Sequence, residues 1–247
     1  MGYILKIAAI GLISGITGTG IGGLIAFFVD KNISNRLLST ILEFSAGLMT
    51  SVVCFELIPE AVKIAGLNLT IIGVISGILI IIFIEDFIKQ LDIVKNTKGN
   101  SNLLRAGILV SIGLALHNLP EGFAVGSGFE ASVSLGVTLT IVIFIHDVPE
   151  GIAMALPMKL GGFSAVKAFL LTILSGVPMG LGALIGAVLG HISQQFIAVC
   201  LGFAGGAMLY VIFAELIPES KRIYPGRMSS MGNILGIVCG IIVTMLN

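Results

Sequence analysis

The chain has 247 residues, of which 56% are hydrophobic and only 11% are charged, and its mean hydropathy is +1.12. A soluble domain would carry roughly a quarter charged residues, so this composition excludes a soluble protein and predicts an all-α integral membrane protein. Thirteen basic and thirteen acidic residues give a net charge of zero, which offers no reason to expect nucleic acid as a partner.

The apolar residues fall into eight segments of about 20 residues, the length that crosses a hydrocarbon core. In chain order, the predicted spans 1 to 8 cover residues 4–29, 37–62, 68–88, 104–128, 131–157, 165–189, 194–219 and 230–246. Span 1 lacks the basic start and cleavage pattern of a removed signal peptide, so we expect it to be retained. Residues 1–247 are predicted to form one transmembrane domain, with a polar cytoplasmic loop at about 89–104.

The basic residues predict the orientation of the chain in the membrane. If the N-terminus lies outside, eleven of the thirteen fall on the cytoplasmic side. These eleven are Lys31, Arg36, Lys89, Lys95, Lys98, Arg105, Lys159, Lys167, Lys221, Arg222 and Arg227. Because cytoplasmic loops carry an excess of lysine and arginine, we expect a multi-pass protein of the cell (inner or plasma) membrane with both termini outside.

Spans 2 and 3 recur later in the sequence as spans 7 and 8. The run Glu-Leu-Ile-Pro-Glu at 56–60 returns at 215–219, and the same offset of 159 maps Gly73 onto Gly232. Spans 1 and 6 join this repeat after a one-residue slip. An odd number of crossings separates the two copies, so they must have opposite orientations. The sequence therefore predicts a 3+2+3 arrangement, an inverted repeat around spans 4 and 5, which is common in alternating-access transporters.

Spans 4 and 5 each contain the pattern His-[Asn/Asp]-x-Pro-Glu-Gly, at residues 117–122 and 146–151. Each copy places a histidine four residues before a glutamate, so both side chains lie on one face of a helix, one turn apart. Imidazole and carboxylate groups are ligands of transition metals. Asn118 and Asp147 lie three residues before each glutamate and offer a second pair of oxygen ligands. The proline of each copy is expected to kink the helix and free backbone polar groups.

Charged groups at the centre of a bilayer cost about 2.5–3.5 kcal/mol each, even on a lenient scale. No lysine or arginine lies at comparable depth in spans 4 and 5, so protons or a divalent cation must compensate these acids. We therefore prefer a metal site over a structural network for the four principal donors, which are His117, Glu121, His146 and Glu150. Metal binding to such ligands should release protons and weaken in acid.

Four further glutamates mark the ends of spans 2 and 7, with Glu56 and Glu60 at the outer face and Glu215 and Glu219 at the inner face. Together with ligands at mid-membrane, these carboxylates describe a path for a cation. The alternative is that they are interfacial carboxylates without a function, since a charge costs little at a helix end.

The two motifs, the eight spans, the outside termini and the polar loop after span 3 resemble the ZIP (Zrt-, Irt-like) family of divalent metal transporters, in particular its bacterial and GufA-like branches. The resemblance covers essentially the whole chain. It implies transport toward the cytoplasm and a metal centre of the four donors named above, with Met49 after Ala-Gly-Leu as a further soft ligand. A second centre would use Asn118 and Asp147 and share the two glutamates as bridges.

The sequence departs from this family at span 6, where many members supply a glutamate in a Ser-Gly-x-x-Glu context. This chain has Met179 at that place, so the second site loses a charged ligand, and one or two bound metals both stay open. Mixed nitrogen and oxygen donors suit zinc, and also iron(II), manganese, cobalt and cadmium. The expected partners are these ions and the lipid bilayer, and self-association into a homodimer stays open.

Two other functions compete with import. The main alternative is an intramembrane zinc-dependent hydrolase, but such an enzyme needs an open metal position and a general base, as in His-Glu-x-x-His, a spacing that the chain lacks. A channel or an exporter also fits a polar path with symmetrical mouths. His191 is expected to be a solvated residue of an external loop, with metal capture at the entrance as the alternative. We predict a transporter and no catalytic cofactor.

Overall fold

The computed structural model of the protein describes residues 2–28, 34–90, 118–160 and 162–245. These residues are almost entirely helical, and no strand occurs among them. The helices are α1 Gly2–Phe28, α2 Asn35–Val52, α3 Ile58–Gln90, α4 118–131, α5 Val133–Leu160, α6 Ala165–Ser175, α7 Val177–Gly190, α8 Gln194–Val211, α9 Ile217–Ile223 and α10 Arg227–Met245. One π-helical turn, Val53–Leu57, joins α2 to α3, and another, Ile212–Leu216, joins α8 to α9.

Five helical stretches of the described chain are long and apolar enough to cross a membrane. They are Gly2–Phe28, Asn35–Phe87, Val133–Leu156, Ala165–Gly190 and Gln194–Ile223, and Arg227–Val243 is a shorter apolar helix. This result confirms a multi-pass, all-α membrane protein. Large apolar side chains such as Phe28, Phe83 and Leu174 are exposed, as lipid-facing residues would be.

Predicted spans 2 and 3 lie in one helical stretch that is broken at Gly66. This residue has φ 79° and ψ 170°, a conformation outside the helical range that glycine adopts without steric cost. The break falls in the interval between the two predicted spans. The first part of predicted span 4 and most of the predicted loop at 89–104 lie outside the described residues.

Four helices of the described chain begin at serine caps. The hydroxyl oxygens of Ser34, Ser132, Ser164 and Ser193 each accept the backbone N–H of the residue three positions later, at the starts of α2, α5, α6 and α8. Each cap satisfies one of the donors that a helix N-terminus leaves free. Serine at these positions therefore fixes where the chain re-enters a helix after a short connection.

The two π-helical turns occur at equivalent positions of the two repeat copies, since Val53–Leu57 plus 159 gives Ile212–Leu216. In each turn the N–H of the following isoleucine, Ile58 or Ile217, bonds to the carbonyl five residues earlier. A proline comes next in both copies and cannot donate to the carbonyl four residues back. The wider turn accommodates this missing bond, and such turns often occur at functional sites.

Glycines bring the helices of the two copies together in matching pairs. The helix α3 packs on α8, and α2 packs on α10. A methyl group at Gly77 would overlap the carbonyl oxygen of Phe203, and one at Gly236 would overlap that of Phe44. Adding 159 to Gly77 gives Gly236, and subtracting 159 from Phe203 gives Phe44, so the two contacts are equivalent. The repeat seen in the sequence is therefore also a repeat of helix-to-helix contacts.

The helices that carry the two motifs lie against α1 and the pair α6 and α7. The helix α5 packs on α1 and α2, and α1 also packs on α6 and α7. On the other side, a methyl group at Gly122 or Gly126 of α4 would overlap backbone oxygens of α7, those of Met179 and Ala183. Close backbone approach on both sides places the motif side chains in the interior.

Candidate metal centre

Three side chains of the motifs meet between α4 and α5. The Nε2 atom of His146 lies 2.9 Å from Oε1 of Glu121, and both side chains have no exposed surface. Glu150, one turn after His146 on α5, is also fully buried. One ligand atom from each of the three residues lies within 4.8 Å of the other two. Helical spacing on α5 and the approach of α4 thus bring an imidazole and two carboxylates to one point.

These distances are close to those of a metal coordination shell. Zinc binds imidazole nitrogen and carboxylate oxygen at about 2.0–2.2 Å, so two ligands of one ion lie at most about 4.3 Å apart. The 2.9 Å separation of His146 and Glu121 already falls in that range. Small side-chain rotations would bring all three atoms around one ion.

The helix α2 supplies an orienting hydroxyl group. Ser45 Oγ lies 3.3 Å from Oε1 of Glu150, to which it donates, and 3.3 Å from the carbonyl oxygen of His146. Hydrogen bonds of this kind hold metal-binding carboxylates in place. Met49 follows Ser45 by four residues and is completely buried, so it lies on the same face of α2, one turn further along.

Asp147 and Asn118 point toward two different neighbouring helices. Oδ1 of Asp147 lies 3.8 Å from Nε2 of His146, and its carboxylate faces Gly18 of α1, where any side chain would collide with it. The amide nitrogen of Asn118 donates to the carbonyl oxygen of Ser175 at 2.6 Å, which ties α4 to the end of α6. Both side chains are completely buried.

Most of the buried side-chain oxygens of this cluster lack hydrogen-bond partners among the described residues. Among the described residues, seven buried side-chain oxygens have none, and five of them belong to Asn118, Glu121, Asp147 and Glu150. Among the described residues, His146 is the only ion-pair partner of the acids Glu121, Asp147 and Glu150. Buried acids without cationic partners are unfavourable, so this cluster requires protons or a metal cation.

Other predicted site residues lie elsewhere or beyond the described chain. His117 lies outside the described residues. Met179 is completely buried, with its backbone against Gly122 and its sulfur beside Gly15, so it lies between α4 and α1. Met179 thus contacts Gly122, the residue after Glu121, and is not one of the three grouped ligands, which are Glu121, His146 and Glu150.

The four acids at the span ends occupy equivalent places in the two copies. Glu56 and Glu215 lie in the two π-helical turns. Glu60 pairs with Lys63 at 3.0 Å, and Glu219 pairs with Arg222 at 2.7 Å. Both pairs have the i, i+3 spacing, and an offset of 159 relates one to the other. The acids are partly exposed, so they lie where the buried interior meets the surface.

Sequence reasoning missed Ser45 and the two π-helical turns. A serine in an apolar helix gives no signal of its own, because its partner lies on a helix more than 100 residues away. The turns did have a signal, the proline that follows each of the two Glu-Leu-Ile runs.

The helical fold is that of an integral membrane protein, and its buried cluster of one imidazole and several carboxylates is a candidate metal-binding site. The chain matches the ZIP Zinc transporter family over residues 94–247. Zinc transporter ZupT of Clostridium perfringens is 30% identical to it, over 96% of this chain and 94% of the relative. Zinc transporter GufA of Myxococcus xanthus is 33% identical, over 70% of this chain and 69% of the relative.

Zinc transporter ZupT of Streptococcus mutans is 36% identical over a shorter region, and that alignment covers 43% of this chain and about half (46%) of the relative. The chain belongs to the ZIP family of zinc transporters. As a member it is a divalent-metal transporter and not an enzyme, and the alternative of an intramembrane hydrolase is not supported.

Proposed function

We propose that this chain carries zinc, and with it other divalent transition metals, across the cell membrane toward the cytoplasm through the cluster between α4 and α5. The observation that carries the proposal is the buried group of His146, Glu121 and Glu150, whose ligand atoms lie within 4.8 Å of one another. By the repeat of the motif, His117 supplies a second imidazole, and Met49 adds a soft sulfur ligand. The transported ion then neutralises the carboxylates that have no other cation.

The repeat supports eight membrane spans in a 3+2+3 arrangement. Equivalent glycine contacts, equivalent π-helical turns and equivalent ion pairs recur at an offset of 159. With both termini outside, the acids of 56–60 lie at the outer mouth and those of 215–219 lie at the inner mouth. Exchange of the repeat units around the central site would expose it to one mouth at a time.

Asp147 and Asn118 extend the site toward α1 and α6 and would hold a second ion that shares Glu121 and Glu150. The place of a further acidic ligand is taken by Met179, which packs between helices. A second ion there would lack one negative charge, so it would be bound more weakly than the first.

Uptake into proteoliposomes that contain a zinc-sensitive dye tests this function. Native protein is expected to import zinc, and His146→Ala and Glu121→Gln are each expected to abolish import. Ser76→Ala is the matched control, because the Ser76 hydroxyl donates to the carbonyl oxygen of Gly73 in its own helix and has no other partner among the described residues. Import that survives both site substitutions would contradict the proposal. Repeating the assay with iron(II), manganese and cadmium ranks the substrates.

Self-association into a homodimer is a separate proposal, in which part of the apolar surface of α1 or α3 packs against a second copy of the chain instead of lipid. Native mass spectrometry of the detergent-solubilised chain decides it, since a dimer has twice the chain mass of 25.7 kDa.

A further inference from the structure

A second histidine–carboxylate pair lies far from the transport centre, where α4 and α7 end together. Nδ1 of His191 lies 3.1 Å from Oε2 of Glu130. The Glu130 side chain is only 9% exposed, whereas the His191 side chain is 67% exposed. An almost buried carboxylate is thus connected to the surface through an accessible imidazole.

The Glu130 carboxylate is incompletely satisfied. Its second oxygen, Oε1, is buried and has no hydrogen-bond partner among the described residues. Outside the transport cluster, one other oxygen of this kind occurs in the described chain, Oε1 of Glu43, and that atom lies 3.1 Å from the ammonium group of Lys221. Glu130 has no such lysine or arginine partner in the described part of the chain.

Gly190 makes room for this carboxylate. A methyl group at Gly190 would lie 3.0 Å from Cβ and 3.2 Å from Cγ of Glu130. Glu130 therefore lies across the last residue of α7, and His191 follows as the C-cap residue of that helix. The carbonyl groups at a helix C-terminus carry partial negative charge, so a carboxylate in this place is electrostatically unfavourable without a cation.

The other copy of the motif helix shows how the same place is normally balanced. The offset of 29 that relates His117 to His146 places Lys159 of α5 at the position of Glu130 of α4. Lys159 Nζ donates to the carbonyl oxygens of Ala26 and Phe27 at the end of α1, at 3.1 and 2.9 Å. One copy has a fixed cation against the helix end. The other copy has a carboxylate and an imidazole, which together could hold a cation.

We propose that Glu130 and His191 form a second divalent-metal site, separate from the transport centre, that bridges the ends of α4 and α7. Two ligand atoms 3.1 Å apart fit one ion with bonds of about 2.1 Å at an angle of about 95°. The exposed position of His191 leaves the other coordination positions to water. The ion neutralises the negative charge of Glu130 and binds a carboxylate that is otherwise incompletely hydrogen-bonded. One imidazole and one carboxylate select a borderline metal such as zinc.

The site is physically distinct from the transport centre. Glu130 follows Glu121 by nine residues on α4, which is about 13.5 Å along the helix axis and half a rotation around it. Glu130 instead continues the face of Gly122 and Gly126, where α4 is packed directly on α7. Its placement on the outer side rests on the proposed orientation, but the binding of metal does not.

Direct metal binding to the full-length chain tests the proposal. The background is a variant with Glu121→Gln and His146→Gln, in which the transport centre is disabled. Equilibrium dialysis against zinc, with metal analysis of the protein, is expected to find one remaining zinc per chain. Adding His191→Gln or Glu130→Gln is expected to weaken this binding at least tenfold. Gln195→Ala is the matched control, because Gln195 is an exposed residue of the same region, and it should leave binding unchanged.

A second measurement separates a metal site from a structural contact. Zinc that binds only the folded state raises the unfolding temperature. We expect this rise in the background variant and its loss after His191→Gln. Background protein that binds no zinc, or zinc binding that both substitutions leave intact, would overturn the proposal. Failure of the transport proposal would instead appear in the uptake assay, where variants of the transport centre would import zinc as fast as the native protein.

Discussion

Removing the charge of Lys221 should destabilise the protein, because Lys221 is the cation beside a carboxylate buried between three helices. Glu43 of α2 is 2% exposed, and its Oε1 lies 3.1 Å from Nζ of Lys221. Its other oxygen accepts a hydrogen bond from Asn233 of α10 at 3.0 Å. Breaking a buried ion pair from one side costs about 3–5 kcal/mol. Because Lys221 is 38% exposed, we expect Lys221→Met to cost less, about 2 kcal/mol.

Thermal unfolding of the purified chain in detergent measures this cost. A loss of about 2 kcal/mol corresponds to a decrease of about 4–8 °C in a chain of this size. Adding Glu43→Gln should recover part of the loss, since no buried charge then remains, and the double-mutant cycle gives the coupling. Lys63→Met is the control, because its pair with Glu60 is exposed and such pairs contribute about 0.3–0.5 kcal/mol. Equal decreases for Lys221→Met and Lys63→Met would refute this reasoning.

Three further results are expected. Ser45→Ala removes the hydroxyl that orients Glu150 and should weaken zinc affinity roughly 10- to 100-fold in a binding titration. The control Ser76→Ala should not weaken it. Equal zinc affinities of the two variants would exclude the orienting role of Ser45. Gly77→Ala and Gly236→Ala introduce equivalent overlaps and should each lower the free energy of unfolding by about 1–3 kcal/mol, measured by thermal unfolding. Gly2→Ala, which has open space around it, should cost little. Unequal losses for Gly77→Ala and Gly236→Ala would contradict the equivalence of the contacts. Zinc uptake should fall as the pH is lowered, because protons compete with the metal for imidazole and carboxylate ligands; uptake that rises in acid would contradict this ligand set.

The helical architecture could be predicted from the sequence wherever hydropathy and repetition agree. The predicted starts of spans 6 and 7, residues 165 and 194, coincide with the starts of α6 and α8. The break in the helix at Gly66 lies in the predicted interval between spans 2 and 3. The meeting of Glu121 with His146 follows from the repeated motif, because two adjacent antiparallel helices bring the glutamate of one copy beside the histidine of the other.

Features that break the repeat could not be predicted from it. Glu43 and Lys221 correspond to Gly202 and Val62 in the other copy, so the buried ion pair exists at one end only. Long-range partners also leave no local pattern. Glu130 looks like an ordinary polar residue at the end of a span, and only the structure places it beside His191.

Anomalous diffraction from crystals grown with zinc tests most directly whether the transported metal binds between α4 and α5. Data collected above and below the zinc absorption edge locate the ion without reference to the protein atoms. We expect a peak about 2.0–2.2 Å from Nε2 of His146 and from carboxylate oxygens of Glu121 and Glu150, and we expect this peak to disappear in Glu121→Gln crystals. An empty cluster in crystals that hold zinc elsewhere along the membrane interior would contradict it.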